Sequence, residues 1–208
     1  MISPAKLNVL CLHGKEQNAE LFRSRLGRIP VKAKAYARFH IVDAPYELPL
    51  KDGDQVCMRS WYHRDASGQY DLPSIDHSIR YLHEIWEGDS GPFHGILGFS
   101  QGGTMAAIMA SQQQLFKGLQ FIICYGAPDV KHDRYASIPS AIRSLHFAGK
   151  SDAVVAMESS KSLFSRFSDG LFIEHEQGHC IPMKADYIAT TVDFIIANLQ
   201  SVSSQSSR

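Results

Sequence analysis

Short apolar runs recur along the chain, and most of them lack polar alternation. LNVLCLH (residues 7–13) is nearly continuous in this sense, the pattern of a strand buried on both faces. RFHIVDAP (38–45), HGILGF (94–99), FIICYGAP (121–128), SLHFAGK (144–150) and LFIEHE (171–176) complete a set of strand candidates. Between them the apolar spacing changes to that of a helix. Ile75, Ile79, Leu82 and Trp86 form one stripe, and Ile188, Val192, Ile195, Ile196 and Leu199 line one side of residues 186–199. Residues 100–113 are rich in Ala and Met, and 157–167 carry Leu163, Phe164 and Phe167. Strands alternating with helices predict right-handed βαβ crossovers, and so an α/β fold: a three-layer sandwich with a mostly parallel central sheet covered on both faces.

No internal repeat, linker or change of composition divides the chain, so residues 1–200 are expected to form a single domain. The polar SVSSQSSR that follows (201–208) is expected to be a disordered tail. Residues 47–73 fit neither period and exceed ordinary loop length, which predicts a lid or a pocket wall. Trp61, Tyr62 and Tyr70 lie in this segment. They either line an apolar pocket or merely pack a surface excursion onto the core.

Charge removes some partners. Lys+Arg and Asp+Glu stand at 21 each in 208 residues, so no net field gathers nucleic acid or an anionic membrane surface. The N-terminal apolar stretch is far shorter than the roughly 20 residues of a membrane span, and it lacks a basic leader. Cys11, Cys57, Cys124 and Cys180 form no CxxC pair and no zinc-ligand spacing. Without a leader they are expected to stay reduced, which points to the cytoplasm. Nothing in the pattern specifies an oligomeric state.

The chemistry begins at GFSQG (98–102), a match to G-x-S-x-G. A chance match arises roughly 0.07 times in a chain of about 200 residues, so the string is weak by itself and its context decides. Here a strand candidate precedes Ser100 and helix formers follow it. That is the setting of a nucleophile elbow, in which a sharp turn lifts the serine hydroxyl above the sheet. Gly98 and Gly102 would be required where a Cβ would clash. The competing reading is a glycine-rich turn whose serine only caps the helix.

A nucleophilic serine needs a base and a carboxylate to orient it, in the chain order Ser, Asp or Glu, His on this type of fold. His132, His146, His175 and His179 follow Ser100. His132 falls in a polar loop, and His146 and His175 fall inside strand candidates. His179 follows the last strand and a glycine, at the carboxyl end where catalytic loops gather, and is the predicted base. Asp152, in the turn after Gly149, is the predicted acid, with Asp129 as its rival. The oxyanion hole calls for two backbone N–H groups: Gln101, after the nucleophile, and Lys15, in the loop after the first strand. His13 is expected to buttress that loop. A zinc site built on His175 and His179 is disfavoured, because the pair sits on a strand and the glutamate of HExxH is missing.

LCLHGKEQN, VDAP, RSWY, GPFHGILGFSQGG, HFAGKSD and QGHCIP, in this order, resemble the FSH-type serine hydrolases. These form a compact α/β-hydrolase family related to the ovarian-tumour-candidate hydrolases and to fungal thioesterases. The resemblance runs from about Lys6 to Leu199. It implies a Ser100–His179–Asp152 triad, oxyanion amides at Lys15 and Gln101, and no cofactor. It further implies esterase or thioesterase action on small-molecule acyl substrates. The chain departs from the pattern at Lys15, where members often carry an aromatic, and in AVVAME after the acid, where a proline is common. A cation at Lys15 could favour a substrate with an acidic acyl end or leaving group. The reading from a different class is a non-hydrolytic binding module on the same fold.

Overall fold

The computed structural model describes residues 6–50 and 56–205, with 201–205 described through the backbone alone. Six parallel strands form its core sheet: β1 (Leu7–Leu12), β2 (Ala37–Val42), β5 (Gly95–Phe99), β6 (Phe121–Tyr125), β7 (Arg143–Gly149) and β8 (Asp169–His175), in the order β2-β1-β5-β6-β7-β8. Each corresponds to one of the apolar runs. The connecting helices are α1 (Ala19–Arg25), α2 (Ile29–Lys32), α3 (Leu72–Glu87), α4 (Gln101–Ser111), α5 (Met157–Phe164) and α6 (Ala185–Gln205).

Strand side chains alternate between two cores. Leu10, Leu12, Ile96, Ile122 and Cys124 face one helical layer together with Ile75, Leu82 and the inner residues of α4. Val9, Cys11, Leu97, Phe99, Ile123 and Tyr125 face the other, with Phe22 of α1, Ile29 of α2, and Ile188 and Ile195 of α6. Each of these large buried side chains contributes about 1.5–3 kcal/mol by leaving water, which is why the strands carry so few polar positions. β1 has β2 on one side and β5 on the other, so the chain changes winding direction there. The loops leaving β1 and β5 at their carboxyl ends flank a topological switch point, the usual ligand crevice of an open parallel sheet.

The structure departs from the sequence reading in three places. Helices α1 and α2 were not among the predicted elements; at 7 and 4 residues they are too short for a period to register. Helix α6 continues to Gln205, into the stretch expected to be a disordered tail (201–208); its remaining residues lie outside those described. The 47–73 segment is partly regular. Tyr46–Glu47 (β3) and Arg59–Ser60 (β4) pair as a short antiparallel ribbon, and α3 begins at Leu72 behind the cap Asp71. Residues 51–55 lie outside the described residues. Among those described, no helix is long and apolar enough to cross a membrane.

One core residue is a histidine. His146, on β7, packs between Phe164 and Phe167 at ring distances of 5.4 and 5.3 Å, and its Nε2 has no hydrogen-bond partner. Burial pushes its pKa down to about 3, so it stays neutral in the fold, whereas the unfolded chain takes up the proton near 6.5. Below pH 6.5 the unfolded state therefore binds more protons at this site, and the contribution of His146 to stability falls steadily as the pH is lowered toward 3. His146→Phe is expected to remove this slope. Urea unfolding at pH 7, 6 and 5 checks it: the variant should gain on the wild type at each step down, and parallel curves would refute the account.

Candidate active site

At the end of β5 the backbone makes a sharp turn. Ser100 adopts φ 52°, ψ −118°, a region unfavourable for a side chain with a Cβ, and its side chain makes no capping hydrogen bond to α4. A helix-capping serine takes an extended conformation and spends its oxygen on the helix amides. Ser100 does neither. Its amide donates to Tyr125 O at 2.8 Å, and its carbonyl accepts from Gly103 N at 2.9 Å, so main-chain bonds hold the turn while the hydroxyl is left over. The glycines around it have separate reasons. A Cβ on Gly98 would lie 2.4 Å from Gly102 O, and one on Gly102 would lie 2.1 Å from Leu12 O on β1. The helix start thus packs directly on the end of β1.

The loops after β7 and β8 bring the predicted acid and base together. His179 Nδ1 lies 2.7 Å from Asp152 Oδ2, with the two side chains 16% and 3% exposed. A carboxylate accepts only, so Nδ1 is the donor in this contact, and in the neutral ring Nε2 is the nitrogen with the free lone pair. Asp152 Oδ1 accepts from the amides of Val154 and Val155, each at 2.8 Å, which aims Oδ2 at the ring. The imidazole lies against Phe99, the residue before Ser100, with ring centroids 4.8 Å apart. It also faces the backbone of Gly126 at the end of β6.

The rival residues are committed elsewhere. Asp129 is buried, with Arg166 Nη2 2.8 Å from its Oδ1, while Ser162 Oγ donates to its Oδ2 at 2.7 Å. His175 is buried in β8, where burial lowers its pKa, and Tyr187 is its neighbouring ring. Among the described residues no group of three His, Cys, Asp or Glu side chains converges as metal ligands. His132 caps a short helical turn by accepting from Arg134 N. His13 is fully buried: Nδ1 donates to Gly14 O at 2.7 Å and Nε2 accepts from Ala44 N at 3.0 Å, so the ring braces the loop after β1 as a neutral group. Burial lowers its pKa, in keeping with that state.

A cavity of about 490 Å³ opens over the serine, lined by Ser100, Gln101 and Lys15. Its apolar wall is Leu48, Tyr62, Pro128, Val154, Val155 and Ala156; His63, Arg64 and Ser159 complete it. Tyr62 lines this cavity. Trp61 does not: it is fully buried, with its indole N–H on His13 O at 2.8 Å. Successive residues of an extended segment point to opposite sides, so only one of the two aromatics can face the cavity. Val154 and Val155 were not among the expected lining residues, although an apolar pair directly after Asp152 was a usable signal.

The family model "Serine hydrolase (FSH1)" matches residues 1–191. The chain belongs to this serine hydrolase family. Among curated relatives of the family's chain, "Rhodanese-like domain-containing protein 6" of Arabidopsis thaliana is 33% identical over 88% of this chain. The chain spans only 38% of that longer protein. "Esterase CG5412" of Drosophila melanogaster is 29% identical over 94% of this chain and 75% of its own length. Two solved structures share the fold. The carboxylesterase of Bacillus cereus superposes with a TM-score of 0.72 at 16% identity, covering 94% of this chain and 90% of its own. Acyl-protein thioesterase 2 of Zea mays gives 0.70 at 20% identity, covering 95% and 96%. The fold of this serine hydrolase is therefore the α/β-hydrolase fold, with a central sheet that is wholly parallel.

Proposed function

We propose that this serine hydrolase cleaves carboxylic esters or thioesters of acyl chains through an acyl-enzyme on Ser100. The carrying observation is the Asp152–His179 pair, oriented at 2.7 Å and seated against the residue that precedes a strained, uncapped serine. His179 Nε2 accepts the Ser100 proton as Oγ attacks the carbonyl carbon. The amides of Lys15 and Gln101 stabilise the oxyanion, aided by the N-terminus of α4. The intermediate collapses with loss of an alkoxide or thiolate, which takes the proton from His179. Water, deprotonated by the same nitrogen, then releases the acid and restores Ser100. Residues 1–200 act as one catalytic domain, with 47–73 supplying pocket wall through Leu48, Tyr62, His63 and Arg64.

The apolar wall suits an acyl chain. Lys15 and Arg64 add positive charge, and among the described residues no carboxylate lines the same cavity, so an ester with an anionic acyl end or leaving group should be preferred over a neutral one of equal length.

A fluorophosphonate probe tests the reading. The Ser100 oxygen should bond to phosphorus with loss of fluoride, giving one mass adduct on the intact protein that maps to Ser100. The labelled enzyme should lose turnover of p-nitrophenyl butyrate and of acyl-CoA thioesters alike. A protein that is neither labelled nor active, yet whose melting temperature rises with such ligands, would instead be a binding module.

A further inference from the structure

Trp61 sits between the two loops that supply the oxyanion amides. Its indole Nε1–H donates to His13 O at 2.8 Å, in the loop that carries Lys15. Its backbone N–H donates to the Gln101 side-chain Oε1 at 2.8 Å, and Gln101 Nε2 donates back to Tyr62 O at 2.8 Å. Its carbonyl accepts from Ser78 Oγ, which fastens it to α3. One residue thus ties the loop after β1, the start of α4 and the helix behind them.

Both loops are places where geometry has to be imposed. Ser100 and Glu16 are the non-glycine residues with positive φ among those described, at 52° and 56°, and each adjoins one of the two amides. Such conformations persist only when surrounding contacts over-determine them. Main-chain bonds from Glu16 N to Arg59 O and from Arg59 N to Gln17 O extend the same support one step along β4. Trp61 is fully buried, and its ring lies 5.3 Å from that of His13.

We infer that Trp61 is a positioning residue that sets the separation of the Lys15 and Gln101 amides, and with it the fit of the oxyanion hole to the tetrahedral intermediate. The inference rests on the acyl-enzyme reading above. Trp61 touches no substrate. Its contribution is expected in the transition state, where the oxyanion needs both donors within a few tenths of an ångström, and not in ground-state binding.

Trp61→Phe removes the indole donor while keeping a large apolar ring and the backbone N–H. Trp86→Phe is the matched control. It also deletes a buried indole N–H that bonds a backbone carbonyl, Lys117 O at 3.0 Å, but on a remote part of α3. Both variants should lose a similar amount of Tm, roughly 5 °C. Only Trp61→Phe should lose kcat for p-nitrophenyl butyrate, by about 10- to 100-fold with KM held within about twofold. A trifluoromethyl ketone, which forms a tetrahedral adduct, should weaken by a similar factor. Should Trp61→Phe fail to fold, Gln101→Met keeps the main-chain amide, removes the acceptor for Trp61 N–H, and should show the same split. Retention of kcat, or a loss no greater than that of Trp86→Phe, overturns the proposal. A wild-type protein that neither labels nor turns over ester removes the acyl-enzyme reading itself, an outcome distinct from a reactive wild type matched by its Trp61 variant.

Discussion

Ser100→Ala is expected to lower kcat for p-nitrophenyl butyrate by at least about 10⁵-fold while the protein stays folded. A loss of that size corresponds to about 7 kcal/mol of transition-state stabilisation, and it follows, on the acyl-enzyme mechanism proposed above, from removing the atom that would form the acyl bond. Residual activity should come from the oxyanion amides acting on bound water, and should not show a burst. Stability should change little, because the side chain makes no capping bond and the turn is held by the Ser100 amide on Tyr125 O and by the glycines beside it. Active-site titration and thermal unfolding on the same preparation separate the two effects. Turnover near that of the wild type would move the nucleophile elsewhere, and a collapse of Tm would restore a structural role for the hydroxyl.

The same turn shows what the chain discloses and what it withholds. The four central strands were legible because each is buried on both faces, where a polar residue would cost more than the strand could supply, and the half-exposed edge strands β2 and β8 through their apolar runs. The turn at Ser100 and the meeting of His179 with Asp152 were legible for a different reason: strand ends carry the loops, and chain order limits which loops can meet. Asp152 was preferred to Asp129 for its place in the turn after Gly149, and the coordinates add that Asp129 is held by Arg166. The pocket wall was the least legible. Residues 47–73 have no period, so nothing in the pattern distinguishes Tyr62, facing the cavity, from Trp61, facing the core. That distinction depends on the His13 carbonyl and the Gln101 side-chain oxygen, which Trp61 satisfies, a matter of tertiary contact.

The two aspartates make the second strong test. Asp152→Asn is expected to lower kcat by about 10³- to 10⁴-fold, while Asp129→Asn leaves it near the wild-type value. The mechanism of the first loss can be read from the hydrogen bonds. Asp152 Oδ1 accepts two amides, Val154 N and Val155 N, so the asparagine that replaces it must keep its oxygen there. Its NH₂ group then faces His179 Nδ1. A donor at that position selects the tautomer protonated on Nε2, which cannot take the Ser100 proton. The packing is preserved, so Tm should barely move, and the rate should partly recover at alkaline pH, where hydroxide replaces the missing base. Asp129→Asn should behave in the opposite way. It leaves the buried Arg166 charge without its counter-ion and weakens the bond to Ser162, at a cost of about 3 kcal/mol in stability. Urea unfolding and steady-state kinetics on both variants decide the assignment. If Asp129→Asn loses the rate and Asp152→Asn loses the stability, the carboxylates have exchanged roles, and the loop after β6, not the loop after β7, carries the acid.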